Sequence, residues 1–133
     1  MDPGYNFADF LKACANPSEI YIPERVIQDA KRDFGLGSKQ GILDFIVNGG
    51  LEKPSWFNCE KLDKNPFPGI EILVDAYEFY SGFKFGYLAF YKNPKTCVLK
   101  SFKKSNRVDT RSFPFANLSD EFKRKFGPPE EKP

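Results

Sequence analysis

Phe83-Lys84-Phe85-Gly86-Tyr87-Leu88-Ala89-Phe90-Tyr91 and, past the turn signal Asn93-Pro94, Thr96-Cys97-Val98-Leu99-Lys100-Ser101-Phe102-Lys103-Lys104 are two runs dense in aromatic and β-branched residues. Such residues fit a pleated, half-buried surface, so both runs read as strands. The preceding run, 70–80, has the same character, and Ser81-Gly82 separates it from the first run by a two-residue turn signal. The three runs therefore predict an antiparallel meander. Alternate side chains of a strand share a face. Phe83, Phe85, Tyr87, Ala89 and Tyr91 fall on one side of the first run, and Lys84, Gly86, Leu88 and Phe90 on the other. In the second run regular alternation groups Val98, Lys100, Phe102 and Lys104 opposite Cys97, Leu99, Ser101 and Lys103.

Upstream, the apolar period changes to that of helices. Phe7, Phe10, Leu11 and Cys14 make one stripe over 6–16, which Pro17 ends. Residues 19–22 suit a short strand that could join the sheet as a fourth member. Pro23 is placed for the first turn of a second helix reaching about Phe34, with Val26, Ile27, Ala30 and Phe34 on its buried side. Gly35-Leu36-Gly37 breaks it, and Ser38 caps a third helix carrying Ile42, Leu43, Phe45 and Ile46. Gly49-Gly50 ends that helix. Residues 51–69, with Pro54, Pro66 and Pro68, read as an irregular loop long enough to be functional or to hide a strand. A last helix, capped by Asn117 or Ser119 and bearing Leu118, Phe122 and Phe126, closes the chain before Gly127-Pro128-Pro129. The expected fold class is α+β: a small antiparallel sheet of three or four strands, N-terminal helices packed on one face, and a C-terminal helix. One domain spans 1–127, with 128–133 as a frayed tail.

The 133 residues suit one domain, and 41% hydrophobic with 29% charged residues excludes collagen, coiled coil and wholesale disorder. No apolar run approaches the roughly 20 residues of a membrane helix. Asp2 and the lack of a basic-then-apolar leader point away from secretion, so a cytoplasmic location is expected. Cys14, Cys59 and Cys97 are odd in number and match no zinc or redox spacing, so they read as small buried side chains. The chain has no His. That excludes Ser-His-Asp and Cys-His catalysis and every His-containing metal site, and neither metal nor cofactor is expected.

Charge is uneven. Residues 1–91 hold nine basic and thirteen acidic side chains, whereas 92–126 hold ten basic against three acidic. A basic third beside a mildly acidic remainder suits a polyanion-facing surface, and equally a solvated face that binds nothing.

The order short strand, two helices, antiparallel strands, closing helix resembles the RelE/HigB-like toxin superfamily of small ribonucleases. Phe83-Lys84-Phe85-Gly86-Tyr87 is similar to its aromatic-Arg-apolar-x-Tyr strand, with Lys84 where the family usually has Arg. Val98-Leu99-Lys100-Ser101-Phe102-Lys103-Lys104-Ser105 is similar to its apolar strand ending in Phe-Lys-Lys, and Gly69-Ile70-Glu71-Ile72 to the start of the strand before. The resemblance implies metal-independent RNA cleavage, RNA or the ribosome as partner, and a small antitoxin-like protein as a second partner.

In such a reaction the 2′-hydroxyl attacks the adjacent phosphate, which requires a base, cations for the added charge and an acid for the leaving oxygen. Lys84, Lys103 and Lys104 are the candidate catalytic residues, since mutual repulsion can lower one lysine into the range of a base. Tyr87, Tyr91, Lys100, Arg107 and Arg111 are the candidate RNA-binding residues. Strand parity sets Lys84 against Tyr87 and Lys103 against Lys104, so only one of each pair can enter one site unless a bulge intervenes. The alternative is a non-catalytic module whose basic C-terminal third docks RNA or an acidic protein. A third reading is an interaction domain that pairs a sheet face with a protein.

Overall fold

The computed structural model describes residues 2–106. The helix expected within 117–126 and the tail 128–133 lie outside the described residues, as do Arg107 and Arg111. The order is α1 (Phe7–Cys14), a 3-10 turn (Pro17–Glu19), β1 (Ile20–Tyr21), α2 (Glu24–Phe34), α3 (Lys39–Val47), β2 (Glu52–Lys61), β3 (Leu73–Ser81), β4 (Lys84–Lys92) and β5 (Cys97–Lys104).

Each helix starts and stops for a local reason. The Asn6 side chain accepts the Ala8 N–H at 2.8 Å and Ser38 Oγ accepts the Gly41 N–H at 3.0 Å, which satisfies donors that a first helical turn leaves unpaired. Gly35 ends α2 in the left-handed region at φ 73°, where a side chain would be strained. The buried residues of α2 and α3, Val26, Ala30, Ile42, Leu43 and Ile46, belong to the apolar stripes that the sequence shows.

The fold is α+β, with a sheet of five strands in the order β1-β5-β4-β3-β2. It corrects the expected sheet in two ways. There are five strands rather than three or four, and the sheet is mixed, because β1 runs parallel to β5 while the other pairs are antiparallel. The added strand, β2, lies in the stretch that reads as an irregular loop. Its sequence is mostly polar and exposed, Lys53 has φ 48°, and register shifts break its pairing after Glu52 and after Trp56. Pro54 is tolerated there because β2 is an edge.

Helices pack on one face. Phe10, Cys14, Val26, Ala30, Ile42, Leu43 and Ile46 meet Tyr77, Phe79, Leu88, Phe90, Leu99 and Phe102 in one core. Phe10 stacks on Phe90 at 4.1 Å, and Phe102 takes Phe34 at 5.3 Å and Phe79 at 5.4 Å. Each such side chain stabilises by roughly 1.5–3 kcal/mol when fully buried. Cys14 and Cys97 sit in this core, and burial pushes their thiols up to about 12 and about 11.

One irregularity decides which β5 side chains share a face. Phe90 pairs with Leu99 and its neighbour Ala89 with Ser101, so Lys100 is an extra residue in β5. This bulge resets the alternation. Cys97, Leu99 and Phe102 join the helix-side core, while Ser101 and Lys103 turn to the second face beside Ala89 and Tyr87. The expected grouping of Val98, Lys100, Phe102 and Lys104 is thereby corrected. A regular strand could bury only one of Leu99 and Phe102 under the helices; the bulge buries both.

The N-terminal segment is fastened by a buried carboxylate. Asp75 is 0% exposed, and it accepts the Gly4 N–H at 2.8 Å, the Tyr5 N–H at 2.8 Å and the Trp56 indole N–H at 3.3 Å. Tyr5 Oη donates to the Leu73 carbonyl at 2.7 Å.

Candidate nucleic-acid interface

The parity of β4 holds as the sequence predicts: Leu88 and Phe90 lie in the helix-side core, and Tyr87 and Tyr91 on the second face. Together with the β5 bulge, this parity separates the candidate lysines into two groups.

Lys84 and Lys104 belong to the helix side, at the C-terminal end of α2. Lys84 Nζ donates to the Asp33 carbonyl at 2.7 Å and stands 5.5 Å from the Phe34 ring centre. The Lys104 backbone N–H donates to Asp33 Oδ2 at 2.9 Å. Arg32 grips the same carboxylate with Nε on Oδ1 at 2.8 Å and Nη2 on Oδ2 at 2.9 Å. The Arg32 hydrogen bonds hold Asp33 below its ordinary range, with the Lys104 N–H and the charges of Arg32 and Lys104 assisting against desolvation. Lys84 is therefore a cap on a helix C-terminus, where a cation is favoured. Lys84→Met should lower stability by up to about 1 kcal/mol in urea unfolding. A loss above about 2 kcal/mol would mean that the lysine does more than cap.

Lys100 and Lys103 belong to the second face. Lys103 Nζ stands 5.9 Å from the Tyr87 ring centre, and the Phe57 ring meets Tyr87 edge-on at 6.4 Å. The three candidate catalytic lysines thus do not gather: Lys84 and Lys104 attach to α2, and Lys103 lies across the sheet from them.

Sheet register shapes the second face. Asn58, Ala76, Ala89 and Ser101 are successive partners across β2, β3, β4 and β5, a row of small residues crossing the strands. The next row is Ser55, Glu78, Tyr87 and Lys103. On the other side Tyr91 pairs with Val98, which also pairs with the exposed Tyr21. Small residues between larger ones make a trough. Val74, Ala76 and Ala89 form its apolar floor, against which Leu62, Tyr87 and Tyr91 pack. The cavity there measures about 90 Å³, with Asn58 and Glu60 at the β2 end and Lys100 at the β5 end.

Burial first, then the charges of Glu60 and Glu78, raises the Tyr87 phenol above its ordinary range. Burial, then Tyr21, raises Tyr91. Both phenols are therefore neutral hydrogen-bonding aromatics at pH 7, suited to stacking rather than to accepting a proton.

Sequence reasoning named Tyr87, Tyr91, Lys100 and Lys103 but missed Asn58, Glu60 and Leu62, which reach the trough from β2 and its end. The available signal was Ala89 between Tyr87 and Tyr91, a small residue interrupting an aromatic face. Among the described residues no helix is long and apolar enough to cross a membrane, and no three His, Cys, Asp or Glu side chains gather as a metal site. Compared with protein-family models, curated proteins and solved structures, the chain finds no match in any of the three.

Proposed function

We propose that this chain is an RNA-binding protein that takes a single strand on the sheet face opposite its helices. Bases stack against Tyr87 and Tyr91, and phosphates pair with Lys100 and Lys103. The observation that carries the reading is the trough floored by Val74, Ala76 and Ala89, with Tyr87 and Tyr91 packed against that floor, Lys100 at the β5 end and Lys103 beside the Tyr87 ring. Single-stranded nucleic acids are held by this combination of aromatic platforms and cations that follow the backbone. The ten basic side chains of 92–126 add long-range attraction for a polyanion. The toxin resemblance enters only as an expectation from sequence, and a fold does not fix an activity.

Cleavage is not part of the proposal. A nuclease would need its base and its charge-stabilising cations around one phosphate, and Lys84 and Lys103 stand on opposite faces. The test is fluorescence anisotropy with a labelled single-stranded RNA, the same samples then being run on a sequencing gel. Tyr87→Ala should weaken binding roughly 5- to 100-fold, the scale of one lost stacking contact. The RNA should remain intact. Unchanged affinity in Tyr87→Ala would refute this face as the binding surface, and cut RNA at stoichiometric protein would refute the non-catalytic reading.

A further inference from the structure

The two ends of the trough differ in charge. Glu60 and Asp63 line the β2 end, where Lys61 is engaged with Glu71 at 3.1 Å, and Lys100 lines the β5 end. A nucleotide has the same polarity, with a base edge at one end and a phosphate at the other. The carboxylates repel phosphate and accept N–H groups, while the ammonium does the opposite. The trough therefore orients a nucleotide with its base toward β2 and its phosphate toward β5. The apolar floor of Val74, Ala76 and Ala89 and the Tyr87 wall suit a flat aromatic ring.

We propose that the trough is a base-selective site for one unpaired guanine, with Glu60 accepting from the guanine Watson–Crick edge and Lys100 contacting the adjoining phosphate. This rests on the RNA-binding reading above and deepens it. The selectivity follows from donor geometry. Guanine presents N1–H and the N2 amino group side by side, two donors for the two oxygens of one carboxylate. Adenine and cytosine present one amino group beside an acceptor, and uracil presents one N–H between two carbonyls, so each sets an acceptor against the carboxylate. Asn58 Nδ2 donates to Glu60 Oε2 at 3.1 Å, which steadies the carboxylate at that end. The Tyr87 hydroxyl, kept protonated beside Glu60, adds no competing negative charge.

The test uses four labelled oligouridine strands, identical except for one central G, A, C or U, titrated against the full chain and against Glu60→Gln. The G strand should bind at least fivefold tighter than the others, and Glu60→Gln should reduce that ratio below twofold. Glu60 is exposed, so the variant should fold, which circular dichroism verifies. Equal affinity for all four strands would overturn the guanine site and leave the RNA-binding reading standing. A G preference that survives in Glu60→Gln would overturn the proposal as well, because the carboxylate would not be the reader. No binding to any strand would overturn both readings.

Discussion

Asp75→Ala should lower the stability of the fold by about 3–5 kcal/mol and reduce its melting temperature by on the order of 10–20 °C. The carboxylate is fully buried and accepts two backbone N–H groups and one indole N–H. Hydrogen bonds to a carboxylate contribute about 1.5–3 kcal/mol each, and water reaching the part-buried N–H groups of Gly4, Tyr5 and Trp56 in the variant offsets part of that loss. The loss also loosens the segment at Gly4 and Tyr5, which would keep the Tyr5 hydroxyl on the Leu73 carbonyl but lose both backbone N–H bonds to β3. Trp56 is the one tryptophan of the chain, and its indole N–H binds Asp75, so its fluorescence should shift in the folded variant. Urea unfolding followed by that fluorescence reads both effects. A loss below about 1 kcal/mol would show that the three bonds do not hold the N-terminal segment.

Gly86→Ala should cost about 1–3 kcal/mol by overpacking alone. A Cβ built at Gly86 falls 2.4–2.8 Å from three carbons of the Phe79 ring, closer than carbon atoms approach. Phe79 cannot yield easily, because it is 0% exposed and lies between Phe34 at 5.7 Å and Phe102 at 5.4 Å. The glycine is thus required by the ring that covers it. Shrinking that ring should relieve the clash, so Phe79→Leu and Gly86→Ala together should cost less than their separate losses combined. Additive losses would point to backbone conformation, and not the ring, as the reason for the glycine.

How far the sequence could be read depended on the length and regularity of each segment. The three helices carry apolar stripes and explicit start and stop residues, and they appear within a few positions of where the stripes place them. β4 alternates without interruption, so its faces were legible residue by residue. β2 was not, because Glu52, Lys53, Pro54 and Ser55 offer no apolar alternation and its pairing is broken twice. The bulge at Lys100 has no marker of its own either: Val98-Leu99-Lys100-Ser101-Phe102 reads equally well as a regular strand. Only the need to bury both Leu99 and Phe102 creates it, and that need belongs to the assembled core. Because the bulge reverses parity, the lysines beyond it change faces. Tyr87, Tyr91, Lys100 and Lys103 were therefore legible in advance but their grouping was not, and Asn58, Glu60 and Leu62 went unread with β2. Asp75 left one clue, an acid inside the apolar run Val74-Asp75-Ala76-Tyr77, with partners too distant in sequence to name.

RNA binding as proposed requires Lys100 and Lys103 to meet phosphates on the tyrosine-bearing face. The most direct measurement is the salt dependence of single-stranded RNA binding for the wild-type chain and for Lys100→Ala combined with Lys103→Ala. Each phosphate contact to a single strand contributes about 0.7 to the slope of log affinity against log salt. The double variant should therefore bind more weakly and with a slope shallower by about 1.4. Equal slopes for the two proteins would place the phosphates elsewhere and contradict the assignment of this face.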